Sequence, residues 1–447
     1  MRETSPVRVN IGLWAETGFV ILVVASVLHT ALFLFATGYL PQPYFYGSQS
    51  FFTDWSASAY YAINPGAYTA FYSVYPPLSF VFLRLTSLHA CYRLADIFAS
   101  RECDWLSQAV MAAFYFVTIP LVFKAYWVLN RRTAWMRTVA ICLGLPILYA
   151  IERGNLIVPC FTFYVLGHGR ILKSARLRWL GLAISINFKP YLILTLFGPL
   201  LRRRWRWFEG CAVAGLLVYL VTYALEGAGD PITVLTNIGL FATSDARGIF
   251  ERATYASSYV PVMDLLPSNF PLMYFTGSRP IEILEKLLPA MIDAGKLGIL
   301  ACFAGTLFRP AVVPVSRLAA LGLCWVLTAQ DPGGYAVLFL LFLVFMEPWR
   351  GVGRIMALVI AYLLSLSADI VVVKFAHEII SSGLTKQVAG YDLGATVGML
   401  ARPALVLLLE YALIVTSLVD VFRAWRATAP PTIRGAEGMG TRIAVAG

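Results

Sequence analysis

Few residues in this chain are equipped for chemistry, and three groups of them stand in unexpected surroundings. Asp54, in Phe51-Phe52-Thr53-Asp54-Trp55, is the only carboxylate between Glu16 and Asp96, and it lies among Phe51, Phe52, Trp55, Tyr60 and Tyr61. Partial burial there would raise its pKa toward the range of a general base, although aromatic-rich segments also form interfacial belts at membrane surfaces. The second group, Ile151-Glu152-Arg153-Gly154-Asn155, sits between two apolar stretches. It reads either as a turn with a local Glu–Arg pair or as a polar wall in which Arg153 and Asn155 meet a phosphate beside a helix N-terminus. The third is Asn187-Phe188-Lys189-Pro190-Tyr191, where Lys189 falls in the middle of the apolar stretch 178–201 and Pro190 breaks the helix. An ionisable group at that depth costs about 2.5–3.5 kcal/mol on insertion scales, so Lys189 requires an anion in a cavity or a carboxylate such as Glu152.

Other charged positions carry less. His29, Arg84 and Lys124 read as packed or snorkelling groups, and Asp331 in Asp331-Pro332-Gly333-Gly334-Tyr335 reads as a helix cap facing the same side as Asp54. No His/Glu metal spacing, nucleotide-binding Gly-rich loop or nucleophile elbow is present, so neither a metal nor a cofactor is expected. The seven cysteines are scattered singly without Cys-x-x-Cys, which indicates neither a zinc site nor a disulfide framework.

The elements that must position these groups follow from composition. With 447 residues, 59% of them apolar and 13% charged, the chain has about half the charge density of a soluble domain. About a dozen apolar stretches recur along the chain, several of them near the roughly 20 residues needed to cross a bilayer. Runs such as Val337 to Phe345 do not alternate, which excludes a β-barrel. The expectation is an all-α polytopic integral membrane protein, a bundle of roughly 11–13 transmembrane helices in contact with the lipid bilayer. The net charge of +11 comes largely from short Lys/Arg blocks between spans, such as 202–206, so no nucleic-acid partner is implied.

The spans are expected near 17–36, 77–98, 105–129, 134–150, 154–169, 178–201, 209–226, 286–308, 311–329, 335–347, 352–373 and 396–420. Residues 1–16 form a cytoplasmic N-terminus, 17–420 the membrane domain with outer loops 37–75 and 227–285, and 421–447 a disordered cytoplasmic tail. The middle conflicts with the positive-inside rule, because single spans at 134–150 and 178–201 would put Arg131, Arg132, Arg137, Arg170, Lys173, Arg176 and Arg178 outside. A re-entrant 134–150 and a hairpin of half-helices bent at Asn187-Phe188-Lys189-Pro190 leave only the first three there.

Taken in order, the outer-loop Asp54, Tyr75-Pro76-Pro77-Leu78, Glu152-Arg153-Gly154-Asn155-Leu156 and Asn187-Phe188-Lys189-Pro190-Tyr191 resemble the GT-C membrane glycosyltransferases. The pattern is most similar to glycosyltransferase family 87, the polyprenyl-phosphate-mannose-dependent α-mannosyltransferases, with motif similarity to GPI mannosyltransferase I. It covers residues 15–345. The resemblance implies a GT-C-like bundle with an outer-face cavity, a polyprenyl-phosphate sugar as donor, a glycan or glycolipid as acceptor, and inverting transfer in a bacterial inner membrane. Asp54 takes the place of the family's base; Lys189, Arg153 and Asn155 would bind the donor phosphate. Glu152, Tyr75, Asn187, Arg247, Arg252, Ser258 and Asp331 are possible donor or acceptor contacts. Family 87 often has Gly-Gln-x-Asn where this chain has Glu152-Arg153-Gly154-Asn155, so only Asn155 matches. The His positions expected after Thr328-Ala329-Gln330-Asp331-Pro332 are missing. A transporter or flippase of lipid-linked sugars is the alternative, and no internal repeat supports it.

Overall fold

The computed structural model describes residues 6–44, 51–93, 97–243, 253–254, 256–265, 277–329, 332–381 and 388–428. In chain order its elements are α1 (Pro6–Thr37), α2 (Thr53–Ile63), α3 (Pro77–Thr86), α4 (Ile97–Cys103), α5 (Trp105–Leu129), α6 (Ala134–Cys142), α7 (Leu145–Glu152), α8 (Ile157–His168) and α9 (Ala175–Phe188). These are followed by α10 (Phe197–Leu201), α11 (Trp205–Glu226), α12 (Pro231–Thr243), α13 (Val260–Leu265), α14 (Ser278–Phe308), α15 (Val315–Ala329), α16 (Val337–Val344) and α17 (Val352–Leu364). The strands β1 (Val371–Ser381) and β2 (Val388–Thr396) and the final helix α18 (Val397–Thr428) complete the described chain.

Among the described residues, six helical stretches, α6 and α7 together making one, are long and apolar enough to cross a membrane, as an integral membrane protein requires, and there are seven shorter apolar stretches of 10–17 residues, adjoining 3₁₀ turns included. Several of the short ones are central, α15 and α16 above all. Every residue of α16 is buried, and Phe339 and Phe342 interlock with Phe161 and Tyr164 of α8. A helix apolar all round belongs in such a position.

Buried charges tie the bundle together at one end. Arg137, at the start of the α6–α7 stretch, donates to both Glu16 oxygens at 3.0 and 2.7 Å, to Phe345 O at 2.5 Å and to Glu347 O at 3.0 Å. Glu347 in turn takes a forked pair of bonds from Arg317 at 2.8 and 2.6 Å, while Arg317 and Arg354 share Asp420. Arg202 and Arg203 reach the carbonyls of Val313 and Leu307, and the Arg178 guanidinium lies 5.9 Å from the centre of the Trp207 ring. This is the basic end of the bundle.

Two expected spans are corrected by this geometry, and the correction removes the charge conflict. Residues 77–98 do not form one long helix. Helix α3 stops at Thr86, a 3₁₀ turn follows at His89–Arg93, and Arg101 returns to donate to Phe51 O at 2.8 Å. Residues 134–150 are not re-entrant, because the stretch begins at Arg137 in the basic end and finishes where Glu152 O accepts from Phe52 N at 2.7 Å. Its bend falls between α6 and α7, where Gly144 has extended backbone before Leu145-Pro146. With one crossing fewer before α5 and one more after it, the groups at 131–137 and 170–178 join the block at 202–206. The expected break at Lys189-Pro190 is present: α9 ends at Phe188, Lys189 is extended, and a 3₁₀ segment runs from Pro190 to Leu196.

Three further expectations change. The helical bundle carries one small sheet, because β1 and β2 form an antiparallel hairpin where the span 352–373 was to end. Gln42 clamps that hairpin by exchanging two hydrogen bonds with the Gly394 backbone, at 2.9 and 3.1 Å. The last helix continues to Thr428, into the segment expected as a tail, and the remainder lies outside the described residues. Finally, Cys91 and Cys103 form a disulfide with Cα atoms 5.6 Å apart, joining the two sides of the 89–103 excursion. The other five cysteines are free and buried. Alkylation of denatured protein should therefore label five cysteines without reductant and seven after reduction, counted by intact mass; seven in both cases would exclude the bridge.

Candidate functional site

At the end opposite the basic cluster, the first loop and the turn after α7 fasten to each other. Phe52 takes a left-handed conformation (φ 56°) just before α2, and its N–H reaches Glu152 O while Asp54 N–H reaches Arg153 O at 3.0 Å. Asp54 thus opens α2 with its carboxylate over the 152–155 turn. Arg153 Nη2 donates to Asp54 Oδ1 at 2.9 Å, and Asn155 Nδ2 donates to Oδ2 at 2.6 Å. The opposite side of the Asn155 amide accepts from Ile157 N at 3.0 Å, so Asn155 is itself fixed by the first turn of α8. The Asp54 and Arg153 side chains are 20% and 10% exposed. Asp54 is an ion-paired acid in a fixed orientation, whereas its aromatic neighbours alone suggested a carboxylate influenced mainly by burial.

Gly154 makes this arrangement possible. It has φ +65°, and a Cβ there would lie 2.8–3.0 Å from the Phe52 ring and Trp55 Cβ. Only glycine tolerates both the backbone conformation and the approach of the aromatic loop. Trp55 is fully buried and donates from Nε1 to Ser87 Oγ at 3.1 Å, while its ring stacks with Phe52 at 5.9 Å. Below it, Asp104 caps α5 through Ser107 N and also accepts from Leu88 N and the Tyr92 hydroxyl. The excursion between α3 and α5 is therefore the floor on which the Asp54 loop rests.

Lys189 projects from the break between α9 and the 3₁₀ segment. Its ammonium lies 3.4 Å from the Tyr75 hydroxyl and 4.5 Å from the ring centre, a cation–π arrangement. Tyr75 is held from behind by Tyr68, whose hydroxyl donates to Tyr75 O at 2.9 Å. One turn before Glu152, Tyr149 stacks on Tyr335 at 6.0 Å and meets Tyr44 at 6.2 Å, which brings residues 44 and 335 to the same end.

Not every candidate enters this constellation. Asn187 uses both amide hydrogens on Ala183 O and Gly215 O, at 2.8 and 3.0 Å, and so clips α9 to α11. Ser258 is buried and accepts from Val260 N at 3.3 Å at the start of α13. Arg247, Arg252 and Asp331 lie outside the described residues. Arg84 forms a forked pair with Glu226, and His29 and Lys124 lie on the exposed surface of the bundle. Sequence reasoning missed Arg402, which bonds Asp369 at 2.5 Å and Thr254 O at 3.3 Å beside a cavity with room for about one water (≈10 Å³), also lined by Ser257. Its signal was available: an arginine inside an expected span needs a partner. Among the described residues, no three His, Cys, Asp or Glu side chains converge as metal ligands.

Replacing Gly154 with alanine should lower stability by about 1–3 kcal/mol, the range for inserting a methyl group into a packed site, as read from thermal melting in detergent. Adding Phe52→Leu should recover part of that loss; an undisturbed melting temperature in the single variant would contradict the packing described. In comparisons with protein-family models, curated proteins and solved structures, no match to this chain was found.

Proposed function

We propose that the protein is a GT-C-type membrane glycosyltransferase that moves a sugar, mannose by resemblance, from a polyprenyl-phosphate donor to an acceptor hydroxyl. The observation carrying this reading is the oriented carboxylate of Asp54, gripped by Arg153 and Asn155 on the first loop, at the end of the bundle opposite the basic cluster. By the positive-inside rule the basic end faces the cytoplasm and Asp54 the outer side, which in a bacterium is the outer face of the inner membrane.

Asp54 removes the acceptor hydroxyl proton as that oxygen attacks the anomeric carbon and the bond from that carbon to the phosphate oxygen breaks. This general-base step contributes roughly 10²–10⁴ in rate. Direct displacement inverts the configuration at the sugar. The roles of Arg153 and Asn155 shift from phosphate binding, as expected from sequence, to holding Asp54 in place. Lys189, at a helix break and backed by Tyr75, is the cation that meets the phosphate and stabilises the charge growing on the leaving group. The isoprenoid tail lies among apolar helices, so donor recognition requires no nucleotide-binding loop.

The test is transfer from radiolabelled polyprenyl-phosphate mannose to a panel of glycan and glycolipid acceptors by the purified full-length chain. Wild-type protein should release polyprenyl phosphate, and Asp54→Asn should lose at least 100-fold in rate while the chain stays folded, with a lowered melting temperature because Arg153 loses its charged partner. Full activity in that variant removes Asp54 as the base. Movement of intact donor across vesicles with no release of polyprenyl phosphate would favour a flippase.

A further inference from the structure

At the basic end, α14 and α18 separate and leave an apolar groove. Along most of their contact the helices pack closely through small residues: Gly298 faces Ile414, Cys302 approaches Ile414 O at 3.5 Å, and a Cβ on Gly305 would lie 3.1 Å from Val421. Small residues permit such approach in a bilayer, where packing replaces hydrophobic burial as the driving force. Helix α14 then stops at Phe308 with Arg309 as its cap, while α18 continues to Thr428. The groove between them has a volume of about 510 Å³, and its lining includes Gly305, Phe308, Leu418, Val419, Phe422 and Trp425. That volume is within the range of ligand-binding pockets.

The chemistry changes sharply at the rim. Arg423 and Arg426 are exposed on the last turns of α18, and the Arg426 guanidinium lies 4.4 Å from the centre of the Phe422 ring. Residues 418, 422, 425 and 426 share one helix face, so this cation sits at the mouth of the apolar channel. Trp425, 62% exposed, has the interfacial position that tryptophan favours at headgroup depth. An apolar trough with a guanidinium group at its mouth complements a molecule with an acyl chain and an anionic head, and basic pockets between membrane helices recognise lipids in this way.

We propose that this groove binds an anionic glycerophospholipid, with one acyl chain against Phe308, Leu418 and Phe422 and the phosphate at Arg423 and Arg426. The site is remote from Asp54 and stands whether or not the chain transfers sugars.

The experiment is native mass spectrometry of the full chain, purified in mild detergent, stripped of lipid and titrated with phosphatidylglycerol or phosphatidylcholine carrying identical acyl chains. Phosphatidylglycerol should be retained at least tenfold more tightly. The double variant Arg423→Ala/Arg426→Ala should drop to the phosphatidylcholine level, the corresponding double Lys variant should keep most of the preference, and Val419→Trp, which fills the groove, should weaken both lipids. Equal retention of the two lipids by the wild-type chain overturns the proposal, as does an unchanged preference in a folded double Ala variant. If the Ala variant fails to fold, the wild-type comparison and Val419→Trp decide. A chain ending at Thr428 that binds phosphatidylglycerol tenfold more tightly would show that the following segment occupies the groove, which also overturns it.

Discussion

A charge inside an apolar bundle must have a partner, and this requirement organises the molecule. Removing one member of a buried ion pair leaves a bare charge and typically costs about 3–5 kcal/mol, so such pairs act as fixed points even where their net contribution to stability is small. Here they join segments far apart in sequence: Glu16 with Arg137, Arg317 with Glu347 and Asp420, Asp369 with Arg402, and Asp54 with Arg153. Between them they hold the first helix to the sixth, the fifteenth to the last, and the first loop to the turn after α7. The same device that fastens the fold also orients the one carboxylate proposed for catalysis.

That dual use explains why the Asp54 partner of Arg153 was not legible in the sequence. A cation beside Asn155 near a helix N-terminus suits a phosphate equally well, and nothing in Glu152-Arg153-Gly154-Asn155 reveals that a loop a hundred residues earlier supplies the anion. The glycine held the better clue. Its left-handed backbone and missing Cβ admit Phe52 and Trp55, which bring Asp54 within reach of both donors. The long-range partner of a turn is legible only once the turn's empty volume is asked for an occupant.

Topology was legible in part for a similar reason. Composition and hydropathy gave the helical membrane class, the long α5 and α11, and the break at Lys189-Pro190, because those depend on local apolar runs and on proline. The failures came where apolar length misled. Residues 77–98 are apolar enough to suggest a span, yet they fold into a short helix, a 3₁₀ turn and a disulfide-closed excursion against the Asp54 loop. Counting that stretch as a span puts the basic groups at 131–137 on the side away from the block at 202–206 and calls for a re-entrant 134–150, where the structure has a stretch long enough to span. The charge conflict was sound evidence, and the error lay in which crossing was removed to relieve it. The β-hairpin escaped notice because Val371 to Val373 extends the apolar run that begins in α17.

Pairing and charge segregation set the Asp54 loop and the basic clusters at opposite ends of the bundle, and in a bilayer these ends should face opposite sides. Labelling of intact cells with a membrane-impermeant maleimide tests it directly, because the five unbridged cysteines are buried and the background is low. A cysteine replacing exposed Ala70 should react in intact cells, and one replacing exposed Lys173 should react only after permeabilisation. Labelling of both from the same side would contradict the account.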